Sequence, residues 1–143
     1  MFGLFDPPQT KAQKRAAKLA QSLREQAARD ASIEVHMLVD RQEQARRIQS
    51  RLWDADHQVE AAKVMEAVST AQETLDRVGR FTAMFPHELS DRQRTATNAA
   101  GYEALASLEL ESRDFLVKVR DDARSQLVPL GVMVFEAQKL LGH

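Results

Sequence analysis

Two groups of histidine and carboxylate hold the side chains best suited to chemistry in this sequence. His36, Asp40 and Glu43 fall at i, i+4 and i+7, one face of a helix. Asp54, His57 and Glu60, spaced by three, make a second group. Imidazole and carboxylate on one face can ligate a divalent cation, and di-iron bundles do so with paired Glu-x-x-His motifs. This chain has no Glu-x-x-His, and its nearest equivalent, Asp54-Ala-Asp-His57, occurs once. Both groups therefore read as surface ion-pair or helix-capping clusters, and no metal is assigned. His87, beside Pro86, reads as a loop residue.

Ser, His and Asp are all present, but no strand–turn–helix nucleophile elbow accompanies them. The five glycines are scattered singly, so they form no phosphate-cradling loop. Without cysteine there is no thiol nucleophile, disulfide or thiolate ligand. The chain reads as non-enzymatic, with no catalytic residue and no cofactor.

Binding chemistry has more to work with. Lys11, Lys14, Arg15 and Lys18 share a helical face, directly after the apolar tip that carries Phe2, Leu4 and Phe5. Bulky side chains that insert and cations that attract anionic headgroups are the components of an interfacial lipid-binding segment. The opposite face of that segment is mostly alanine, which inserts weakly. Arg24, Arg29, Arg41, Arg46, Arg47 and Arg51 extend the basic character, as a nucleic-acid surface would. No helix-turn-helix, zinc finger or aromatic platform goes with them, and the net charge is −1, which argues against nucleic acid.

These residues are positioned by helix. From Gln9 to Val78 the chain runs 70 residues without glycine or proline, the two strongest helix breakers. Fully helical, that span would reach about 105 Å, so it must fold back or pair as a rod with a second chain. Leu52 to Gln58 is the expected turn, with Asp54 or Asp56 capping the second helix. A capping box at Thr10–Gln13 starts the first helix. Its first twenty residues carry only Leu19 and Leu23 as large apolar side chains; the rest of the apolar content is alanine, which fits an exposed arm or a seam that lets another helix come close. From Ile33 onward Val35, Leu38, Ala45, Ile48 and Leu52 form a stripe.

Farther on, Ala61, Val64, Val68, Ala71, Leu75, Val78 and Phe85 alternate by three and four, an a/d heptad seam. Pro86 is expected to end that helix and Ser90-Asp-Arg-Gln93 to cap the next. Leu105, Leu108, Phe115, Leu116, Val119, Ala123 and Leu127 face inward from it, and Gly101 is either a tolerated cost or the mark of a close contact. Pro129 and Gly131 are expected to restart the chain as a short final helix ending at Gly142. Leu127 to Phe135 is the most hydrophobic stretch, too short to span a bilayer; it either caps one end of the bundle core or forms a partner or dimer surface with Met133 and Phe135 as anchors. Trp53 and Tyr102 are expected to be largely buried.

The sequence thus predicts an all-α fold: an antiparallel three-helix bundle or coiled-coil hairpin, with helices at about 10–53, 57–85 and 90–127 and a short C-terminal helix. The basic first helix overhangs at its N-terminal end. Residues 1–8 form the tip and 9–143 one bundle domain. No signal peptide is read at the start.

Charge is unevenly placed: ten Lys/Arg and six Asp/Glu over residues 1–53, ten and fifteen thereafter. Oppositely charged helices can pack together, and so can copies of the chain. The expected function is a cytoplasmic interaction or scaffold module that self-associates or docks a protein through Val68, Leu75, Val78, Phe85, Leu130, Met133 and Phe135. The alternative is a peripheral protein at the inner face of a membrane, binding anionic lipid through the tip and basic face.

Overall fold

A computed structural model of the protein describes residues 7–142; Phe2, Leu4 and Phe5 lie outside them. The described residues are helical almost throughout and contain no strand. They form α1 (Pro8–Asp54), α2 (Gln58–Thr95) and α3 (Ala99–Leu140), packed as a helical bundle.

The break at the end of α1 falls where the sequence places it, but the capping is different. Asp56 adopts φ 65°, the left-handed conformation that closes a helix. The His57 amide donates to the Leu52 carbonyl at 2.8 Å and the Asp56 amide to Trp53 at 3.2 Å, the paired bonds of a Schellman turn. The His57 carbonyl then accepts from the Ala61 amide at 2.9 Å, so His57, rather than Asp54 or Asp56, opens α2. The first helix begins at Pro8, ahead of the Thr10 box. Proline at a first helical position has no lost bond to replace, and its fixed φ suits the helix.

Both internal prolines are passed over. Pro86 and Pro129 lie inside α2 and α3, so neither the helix end at Phe85 nor the separate C-terminal helix exists. A proline removes one ladder bond and costs about 3 kcal/mol in a helix interior. Past Pro129, burial of Leu130, Val134 and Ala137 offsets that cost. Past Pro86 the chain has no glycine or second proline up to Thr95, and Ser90 is an ordinary exposed helical residue.

The third helix is capped instead by Asn98. Its Oδ1 accepts from the Gly101 amide at 2.9 Å and its carbonyl from the Tyr102 amide at 3.0 Å. Gly101 is the close contact: a Cβ there would lie 2.9 Å from Ala96 Cα and 3.1 Å from the Thr95 oxygen. At the far end Gly142, φ 81°, closes α3.

By packing, the described residues divide into two compact units: 7–30 with 80–118, and 31–79 with 119–142. In the first, Ala17 and Ala20 of α1 are buried against Ala106, with Tyr102 and Leu105 alongside. The alanine-rich start of α1 is therefore a packed seam and not an overhanging arm; small side chains let the helix backbones approach. In the second unit, Leu38, Ala45, Ile48 and Leu52 of α1 meet Ala61, Val64, Val68 and Ala71 of α2 and Ala123, Leu130, Val134 and Ala137 of α3. The stripe and the seam face inward there as expected. Trp53 does not: it is 54% exposed, because it leaves the buried stripe one residue after Leu52. Tyr102 is half-buried.

Gly101 and Gly79 make a matched pair for testing the tight turn. Gly79→Ala meets nothing within 4 Å and should stabilise by about 0.5–1 kcal/mol through helix propensity. Gly101→Ala should destabilise despite the same propensity gain, and Asn98→Ala should cost about 1 kcal/mol. Urea unfolding of the three variants checks this; equal effects at the two glycines would contradict the turn geometry.

Candidate functional site

In the first unit an aromatic group is built around a buried charge. Phe81 stacks on Phe85 and on Phe115, with ring centroids 4.9 Å apart in each pair. The Arg24 guanidinium lies over the Phe85 ring, 5.0 Å from its centroid. The same guanidinium donates from Nε to Glu109 Oε1 at 2.9 Å and from Nη2 to Oε2 at 3.4 Å. The Glu109 side chain is 2% exposed and that of Arg24 16%. A carboxyl group so deeply buried needs hydrogen-bond partners, and the guanidinium supplies two. The arrangement ties α1, α2 and α3 together. Lys14 places its ammonium 5.4 Å from the Tyr102 ring centroid. It shares a cleft of about 380 Å³ with Lys18, Gln93, Tyr102 and Glu109.

In the second unit polar contacts are threaded through the helix contacts. Buried Gln42 donates to the Val68 carbonyl at 3.1 Å and to Gln72 Oε1 at 3.0 Å, and Arg46 donates to that same Oε1 at 2.8 Å. Gln126 donates to the buried Thr74 hydroxyl at 2.9 Å, and Arg77 donates to Asp122 at 2.8 Å. Arg124 reaches Glu34 at 2.8 Å.

Among the described residues no three His, Asp or Glu side chains gather to hold a cation. Ser32 Oγ lies 3.2 Å from His36 Nδ1, a distance at which a base can activate a hydroxyl. That Nδ1 is also 2.6 Å from the Ser32 carbonyl oxygen, which can only accept. The proton therefore sits on Nδ1, and the nitrogen is not a base toward Oγ. Several of the basic residues are engaged within the chain: Arg24 as above, Arg46 with Gln72, and Arg47 with Glu43 at 2.6 Å. Of the proposed lipid-facing cations Lys11, Arg15 and Lys18 are exposed, and Lys14 is drawn toward Tyr102. Among the described residues no helix is long and apolar enough to cross a membrane.

The proposed docking residues divide. Val68, Phe85 and Leu130 are buried, and Leu75, Val78 and Met133 are partly buried. Phe135 alone of the seven is an exposed residue, at 56%. It belongs to a groove of about 490 Å³ lined by Met37 and Arg41 of α1 and Leu127, Val128, Gly131, Val132, Phe135 and Glu136 of α3. Val128 is 70% exposed and Val132 53%. Sequence reasoning took in these two valines only as part of the hydrophobic stretch 127–135, without singling them out, and missed Met37. Their signal was present: Val128, Val132 and Phe135 fall at i, i+4 and i+7, a second apolar row on a helix whose Leu130, Val134 and Ala137 already face the core. It also missed Glu109, whose surroundings give no local cue.

Removing either partner of the Arg24–Glu109 pair should destabilise by about 3–5 kcal/mol, since each leaves a buried charge alone. Arg24→Met with Glu109→Leu together should recover much of that loss. Thermal or urea unfolding of the two single variants and the double checks it; additive losses would mean the pair is not coupled.

Compared with known protein families, curated proteins and solved structures, the chain matches none.

Proposed function

We propose that this protein is a non-enzymatic helical interaction module, an antiparallel three-helix bundle that docks a protein through the outer face of α3. The observation that carries the reading is the groove of Met37, Leu127, Val128, Val132 and Phe135. A folded chain of 16.1 kDa gains nothing by presenting three large apolar residues in one row to water. Such a row, bordered by polar residues, has the composition of a protein-docking surface.

Contacts inside each unit support the helix directions. Between α1 and α3, Lys14 meets Tyr102 and Arg24 meets Glu109 in the first unit, so positions advance together. Between α2 and α3 of the second unit, Arg77 meets Asp122 while Thr74 meets Gln126, so positions run in opposite senses.

A photo-crosslinking residue placed at position 132 in cells should yield one discrete adduct, either with the same chain or with one other protein. The same residue at Arg47, exposed and paired locally with Glu43, is the control. A discrete adduct at 132 alone is the expected result. No adduct at either position, or the same smear at both, would contradict the docking reading.

A further inference from the structure

The groove on the second unit carries charge as well as apolar surface. Arg41 of α1 borders it on one flank: its Nη1 lies 2.6 Å from the place where a Cβ on Gly131 would stand. Glu136 of α3 borders it on the other, 40° around the helix from Val132 by the regular turn of about 100° per residue. Among the described residues neither side chain forms an ion pair or side-chain hydrogen bond.

One cation and one anion on opposite flanks of a short apolar row make the surface self-complementary. In a two-fold interface residue i of one copy meets residue j of the other, and j meets i. A half-turn about an axis beside Val132, in the plane of the interface and parallel to α3, turns one face onto the other and exchanges the flanks. It carries Glu136 of one copy to the side on which the other presents Arg41. Glu136 lies four residues, about 6 Å, along the helix from Val132, within the reach of an arginine side chain.

We propose that this face pairs with the same face of a second copy of the chain. Val132 lies near the two-fold axis, and Val128 and Phe135 of each copy meet the same residues of the other. Arg41 of each copy engages Glu136 of the other. A purely basic or purely acidic partner would satisfy one of the two charges and bury the other unpaired, whereas a second copy satisfies both. Gly131, beside the row, leaves room for the Arg41 guanidinium to lie across α3. The inference rests on reading this groove as a docking surface and names what docks.

Charge reversal tests it. In sedimentation equilibrium the native chain should be dimeric. Arg41→Glu and Glu136→Arg should each weaken the dimer about tenfold or more, because each places like charges together twice. Mixed in equal amounts, the two variants should recover a dimer, since both contacts between them are then Glu with Arg. If a reversal disturbs the fold, Arg41→Gln, Glu136→Gln and their combination carry the comparison, and all three should weaken the dimer by a similar factor. A dimer indifferent to these changes overturns the pairing, as does failure of the two folded reversal variants to recombine. A native chain that is monomeric, while position 132 cross-links to another protein, also overturns it but leaves the docking reading standing.

Discussion

Alanine lines most of the places where the helices of this chain meet, and it sets the terms for everything else. Ala17, Ala20 and Ala106 in one unit, and Ala45, Ala61, Ala71, Ala123 and Ala137 in the other, let helices pack closely. They remove little apolar area from water, about 25 cal/mol for each Å² buried. A small, smooth side chain also specifies register poorly, because sliding one helix along another forfeits few interlocking contacts. The fold answers with length and with polar cross-links. Helices of 47, 38 and 42 residues accumulate many weak contacts. Arg24–Glu109, Gln42–Gln72 and Thr74–Gln126 admit only one alignment of the helices that carry them.

That division of labour explains the surface. Larger side chains such as Leu38, Ile48, Leu52, Val64, Val119 and Leu130 are buried among these alanines and close the cores. Val128, Val132 and Phe135 are surplus to that need. On α3 they make a second apolar row, so the helix is hydrophobic on more of its circumference than its own bundle uses. An apolar row of this kind left facing water is what the proposed docking would cover.

Periodicity made the helices, the inward stripe of α1 from Leu38 and the heptad seam of α2 legible in the sequence. It also placed the turn between Leu52 and Gln58. Three features were not legible, each for a physical reason. Pro86 and Pro129 have a known local cost, but whether a helix continues past a proline depends on what lies beyond it, and burial of Leu130 and Val134 is a tertiary fact. The alanine-rich start of α1 could be read as an exposed arm or as a close-packed seam, and the sequence did not decide between them because composition measures how much area a residue can bury, not how closely helices approach. Glu109 is a glutamate in a charged helix until Arg24, 85 residues away, is brought to it. The candidate surface was legible only in part. Phe135 stood out, but Leu130 and Met133 were grouped with it because hydrophobicity alone does not say which side of α3 the bundle takes.

If the outer row of α3 pairs with its copy, folding and association are linked. Anything that binds the folded state and not the unfolded one raises stability with its own concentration. The most direct measurement is therefore the melting temperature of the native chain over a hundredfold range of protein concentration, beside Val132→Glu. Self-pairing predicts a midpoint that climbs with concentration for the native chain and stays fixed for the variant. A native midpoint independent of concentration would contradict it.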